Sequence, residues 1–271
     1  MKKVNGVSIF SILAIAVLFF TACKKDSVLD TVDNLVTGQD LSTIQTIMEN
    51  DEDEILGDEI GFRGGACVVK TFSSATGVYP QTITLDFGAG CEGKNGHIRK
   101  GKLIVNISAD PKTTGALVVI TPSDFFVDDI KVEGTRTWTN LGVDASGNKS
   151  LSRTVVRGKL TFPGGKTATF EGTEKIVQKA GASTKLNKLD DEYEITGSRS
   201  GVNRNGKEYS AIISVPLLKN GSCPYVVRGV INITKEGSSR SLDYGTGTCD
   251  SEGILTLANG NTRIIQLKRW W

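Results

Sequence analysis

Four carboxylates stand beside paired glycines in this chain. Asp86 and Glu92 lie in Leu85-Asp86-Phe87-Gly88-Ala89-Gly90-Cys91-Glu92. Asp243 and Asp250 lie in Leu242-Asp243-Tyr244-Gly245-Thr246-Gly247-Thr248-Cys249-Asp250. Carboxylates on glycine turns could hold calcium. Held ~5–10 Å apart, a pair could also serve as acid and nucleophile on a glycosidic bond. The same residues have a structural use, in which Asp accepts hydrogen bonds from its own turn and the glycines take φ values that other residues avoid. That simpler use is the one expected. His97 is the single histidine, so no histidine-rich metal site can form. No nucleophile elbow, phosphate loop or His-Glu-x-x-His motif occurs. No cofactor and no metal are expected, while Ser–Lys or paired-carboxylate catalysis stays open.

The two acidic segments also match as a repeat. A cysteine leading into an apolar strand precedes each, as Cys67-Val68-Val69 and Cys223-Pro224-Tyr225-Val226-Val227. Four cysteines allow three pairings, and an exported chain favours disulfides over zinc at such long spacings. If each copy carries its own pair, the bridges are Cys67–Cys91 and Cys223–Cys249. If the copies lie side by side, Cys67 pairs with Cys249 or Cys223 instead. The repeat favours the first arrangement.

A third group consists of Arg136, Glu174 and Arg199, each two residues beyond a glycine inside an apolar run (Gly134, Gly172, Gly197). Period two puts them on one face with Val132, Phe170 and Ile195. They could form the polar, ligand-binding mouth of a cavity floored by those apolar residues. In the alternative, the strands leave the core past the bend and these charges meet water.

The elements that must position these residues are strands. From Cys67 onward short β-branched and aromatic runs alternate with glycine and asparagine punctuation such as Pro163-Gly164-Gly165 and Asn259-Gly260. This predicts strands near 66–73, 81–87, 100–109, 115–121, 129–139, 151–162, 166–178, 192–201, 207–218, 224–235, 239–245, 253–258 and 262–269. Connections are mostly too short for parallel crossovers. Glycines recurring inside neighbouring strands imply sharp bends. The expected fold is all-β, an antiparallel meander forming a strongly coiled sheet, sandwich or open barrel over residues 63–271. Ahead of it, 23–62 reads as an acidic tether, with a short helix expected around Leu41, Ile44, Ile47 and Met48. The run Asn50-Asp51-Glu52-Asp53-Glu54 is expected to be solvated.

The first 22 residues are a leader: Lys2 and Lys3, an apolar run from Val7 to Phe20, then Phe20-Thr21-Ala22-Cys23. The apolar run is short for a membrane span. Small residues just ahead of a cysteine resemble the lipobox of bacterial lipoproteins. That resemblance implies thioether lipidation of Cys23 and removal of residues 1–22. Together with Lys24-Lys25-Asp26, the two Leu-Asp-aromatic-Gly repeats and Asp190-Asp191-Glu192-Tyr193-Glu194-Ile195-Thr196-Gly197, the chain is similar to uncharacterised cell-envelope lipoproteins of Bacteroidota. The resemblance implies an envelope location at a membrane, the outer one by expectation, and carries no activity with it.

The chain has 32 Lys+Arg and 30 Asp+Glu. Between Lys24 and Phe62 lie eleven of the acids and two lysines. With Lys2 and Lys3 in the leader, the body from Arg63 keeps 28 basic and 19 acidic residues. This excess is scattered through turns and strands, so no nucleic-acid partner is expected. The expected partners are the membrane, through Cys23, and a glycan or protein. The expected role is non-enzymatic binding or structure, with a glycan-acting hydrolase using the repeated acidic turns as the alternative.

Overall fold

The computed structural model describes residues 28–55, 67–93, 96–184, 187 and 189–267. Inside residues 28–55 it describes the side chains of 35–48. The leader, Cys23 and the terminal Trp270 and Trp271 lie outside the described residues.

Period-two runs form fourteen strands: β1 (Val69–Phe72), β2 (Gln81–Asp86), β3 (Cys91–Glu92), β4 (Ile98–Ile107), β5 (Leu117–Val127), β6 (Ile130–Val143), β7 (Lys149–Thr161), β8 (Thr167–Ala180), β9 (Glu192–Val202), β10 (Glu208–Asn220), β11 (Val226–Lys235), β12 (Ser238–Thr246), β13 (Glu252–Thr256) and β14 (Thr262–Gln266). All belong to one sheet. Its path runs β1-β2-β4 and then in chain order to β14, with the short β3 paired to β4. Every pairing is antiparallel. The sheet is not closed, so β1 and β14 remain its edges. The all-β antiparallel meander is as expected. β5 runs on to Val127, past the expected end at 121. It does so through a register break after Ile120 that accommodates the polar Ser123 and Asp124.

The interior glycines bend the sheet along a seam. Register breaks fall between Glu133 and Thr135 in β6, between Val155 and Gly158 in β7, and between Ile212 and Leu217 in β10. Such irregularities increase local twist and let a strand fold over. Two of the glycines also create slots for neighbouring side chains. Gly172 lies opposite Arg199, and Gly197 opposite Glu174. A Cβ on Gly172 would come within 2.9 Å of Arg199 Cγ, and one on Gly197 within 3.1 Å of Glu174 Cγ.

The largest departure from the sequence expectation is α1, an α-helix over Val28–Ile55. It is far longer than the turn or two expected at Leu41–Met48. Its middle is also in the core instead of forming a solvated tether, and no residue from 35 to 48 is exposed. Leu41, Ile44, Ile47 and Met48 join one apolar core with residues from β2 to β14. Strands on several sides touch the helix. Gly38 faces Leu255 and Ile265, Thr46 Oγ1 donates to the Leu267 carbonyl at 3.5 Å, and Ile44, Ile47 and Met48 line one small void with Pro122, Val132, Val155 and Phe170. The bent sheet is therefore a trough, and α1 lies along it.

Candidate functional site

Several charged side chains are buried in the body and in α1. Arg99, Arg136, Arg153, Arg199, Lys235 and Arg240 are all buried, against the carboxylates of Asp40, Glu174 and Asp191 among the described residues. Cations of this kind are seldom fully buried without partners. The helix α1 carries eight Asp/Glu and no Lys or Arg.

At the centre is a bonded triad. Arg153 of β7 donates Nε to Glu174 Oε2 at 2.9 Å, and its Nη2 donates to the same oxygen. Arg199 of β9 donates Nη2 to Glu174 Oε1 and to Gln45 Oε1 on α1. The register that sets Arg153 opposite Glu174, with Gly197 opposite Glu174 on the other side, makes this possible. Burial pushes the Glu174 carboxyl upward, but the two guanidiniums outweigh it and hold the group below its ordinary range. Arg153 also lies over the Trp138 ring, 5.4 Å from its centroid. Arg199 Nη1 and Trp138 Nε1 are buried without a hydrogen-bond partner among the described residues.

A second contact lies where the turn between β9 and β10 meets the N-terminal half of α1. Arg204 donates its backbone N–H to Asp40 Oδ2 at 2.9 Å, and its guanidinium pairs with Asp40 Oδ1. Asn203 Nδ2 donates to Thr37 Oγ1 at 2.8 Å. Burial pushes the Asp40 carboxyl up, and Arg204 only partly offsets this.

The sequence correctly groups Glu174 and Arg199 on one face, and Arg136 is likewise buried in the trough with Val132 and Phe170. Neither expected environment is found. The residues do not meet water, and the space they face is occupied by α1. The remaining void beside Ile44, Met48, Val132 and Arg136 is about 10 Å³, at the lower limit for one water molecule. Arg153, the second anchor of Glu174, was missed. It has no glycine two residues before it, and its shared face with Val155 was its only sequence signal.

The repeated acidic turns use their carboxylates locally. Asp86 Oδ1 accepts from Gly88 N at 2.9 Å, and Asp243 Oδ1 accepts from Gly245 N at 2.8 Å. Asp250 Oδ1 accepts from Glu252 N at 3.1 Å. Asp86 also pairs with Lys102, which with the Gly88 bond keeps its carboxyl below the ordinary range. Each repeat closes its own bridge, Cys67–Cys91 and Cys223–Cys249, with Cα atoms 5.6 Å apart in both. His97 Nδ1 is bonded to Asp128, whose other oxygen accepts from Ile98 N at 2.8 Å.

Among the described residues no cluster of three or more His, Cys, Asp or Glu could hold a metal ion. No helix there is long and apolar enough to cross a membrane. Comparison with protein-family models, with curated proteins and with solved structures gave no match.

Proposed function

We propose that this chain is a lipid-anchored cell-envelope protein, held at the outer membrane through Cys23, with a non-enzymatic binding or structural role. The observation that carries this reading is α1. It begins five residues after the lipobox cysteine, and its middle is gripped by buried Arg199 and by Arg204. The helix that follows the anchor is thus built into the body at its middle, so α1 would join the body to the membrane. Two or more acyl chains on Cys23 supply enough buried methylene for stable attachment. The hydrolase alternative loses support because Asp86 and Asp243 are committed to their own turns.

The test is Cys23→Ser. The wild-type chain should carry acyl mass on Cys23 and fractionate with the membrane, and the variant should appear in the soluble envelope fraction. Unchanged fractionation with no acyl mass on the wild type would remove the anchor. Hydrolysis of a cell-surface glycan that disappears on Asp86→Asn or Asp243→Asn, with folding intact, would overturn the non-enzymatic role.

A further inference from the structure

We infer that α1 sets the orientation of the body at the membrane. The end formed by the β7–β8, β9–β10, β11–β12 and β13–β14 turns faces the lipid surface, and the opposite end, with the β6–β7 and β10–β11 turns, points away from it. The inference rests on the reading of Cys23 as the lipid anchor.

Contacts at successive positions fix the direction of α1 within the body. Gln45 meets Arg199 inside β9, Asp40 meets Arg204 in the turn that follows β9, and Thr37 meets Asn203 in the same turn. Read toward its N-terminus, the helix climbs β9 and leaves the body at the β9–β10 turn. The strands on the other side agree. Gly38 faces Leu255 and Ile265, whereas Thr46 meets Leu267, farther from the β13–β14 turn. Burial falls in the same direction, from the buried Thr37 and Gly38 to the half-buried Leu35 and Val36.

The turns around this exit are joined to one another. Arg204 lies over the Phe162 ring at the start of the β7–β8 turn, 3.8 Å from its centroid. Lys166 Nζ donates to Asn205 Oδ1 at 3.1 Å, and Lys207 Nζ donates to Glu236 Oε1 of the β11–β12 turn at 2.9 Å. The helix therefore leaves through a braced surface and not beside a single loose loop.

The length of chain beyond the exit sets its reach. The helical backbone runs nine residues further, from Thr37 to Val28, about 14 Å at 1.5 Å per residue. The five steps from Val28 to Cys23 add at most about 18 Å. The anchor thus lies within about 32 Å of Thr37, on the side of the β9–β10 turn. The opposite turns are about 40 Å away in the other direction, along the 13 residues of β7. A chain of that reach cannot bring those turns to the lipid while α1 stays seated, and its contacts with Arg199 and Arg204 keep it seated.

The experiment uses the mature lipidated chain in vesicles whose bilayer carries an energy-transfer acceptor. A thiol-reactive donor dye is placed at exposed turn or strand-end positions. Ala258→Cys and Thr167→Cys mark the near end, and Ala145→Cys and Thr113→Cys mark the far end. Transfer should be high from the near pair and several-fold lower from the far pair. Two positions at each end keep the comparison intact should one variant fail to fold. Equal transfer from both ends, or the reverse order with the far end and its exposed Leu141 and Val143 at the lipid, overturns the orientation and leaves the anchor standing. Transfer absent from all four positions, as in a Cys23→Ser control, overturns the anchor and the orientation with it.

Discussion

Replacing Glu174 with glutamine would leave two guanidiniums facing one acceptor oxygen where the carboxylate offers two. The carboxylate accepts from Arg153 through two nitrogens and from Arg199 through one, and its side chain is only 4% exposed. Removing one member of a buried ion pair strands the other's charge and costs about 3–5 kcal/mol. For a body of this size each kcal/mol corresponds to about 2–4 °C, so the midpoint of thermal unfolding should fall by roughly 6–20 °C. In urea the midpoint should fall with the slope unchanged. Replacing the whole triad (Arg153→Met, Glu174→Leu, Arg199→Met) should recover most of the loss, because no buried charge is then left alone. The pH dependence follows from the sign of the shift. The folded-state pKa of Glu174 is lowered from 4.5. Its stabilisation is therefore complete above 4.5 and is lost as pH falls through the lower folded value. That acid limb should be missing in Glu174→Gln. A loss below about 1 kcal/mol, the range of exposed pairs, would refute the burial of this cluster beneath α1.

Asp40 should behave in the opposite sense. Its folded pKa is raised from 3.8, so its contribution is fully present below that value and is lost as pH rises through the folded pKa. Wild type should lose stability relative to Asp40→Asn across that window and hold a constant difference above it, as read from urea titrations at several pH values. Gly172→Ala would set a Cβ 2.3 Å from the Ser198 carbonyl oxygen and spread β8 from β9. A destabilisation of about 1–3 kcal/mol is expected for such overpacking, with a further loss if Arg199 is pulled from Glu174. Denaturant curves and a double-mutant cycle with Arg199→Met would separate the two. Breaking either bridge, by Cys67→Ser/Cys91→Ser or Cys223→Ser/Cys249→Ser, should cost about 3 kcal/mol for loops spanning 24 and 26 residues. Peptide mapping of the unreduced wild type should show no link between the two copies.

Strands were legible because period two survives in nearly every run, and the turns carry glycine at positive φ, as at Gly165 and Gly260. The pairing of the cysteines was legible because the repeat is an internal copy. α1 was only partly so. Leu41, Ile44, Ile47 and Met48 mark a helical stripe, but Thr37, Gly38, Ser42, Thr43 and Thr46 have weak helix propensity, and the acidic C-terminal turns read as solvated. Its polar contacts, Gln45 with Arg199 and Asp40 with Arg204, come from residues more than a hundred and fifty positions away. For the same reason the sequence located the inward face of Arg136, Glu174 and Arg199 but not what fills it. Period two reports direction within a strand and nothing about the element lying across it.

The most direct test of the account is amide hydrogen exchange of Leu41–Met48 in the wild-type chain at neutral pH. A helix enclosed by the sheet and tied down by Arg199 and Arg204 should open only with the surrounding core. The amides of Leu41–Met48 should then be protected to the same degree as those of β7 and β8. Exchange at the rate of a free peptide, with β7 and β8 protected, would contradict a trough filled by its own helix.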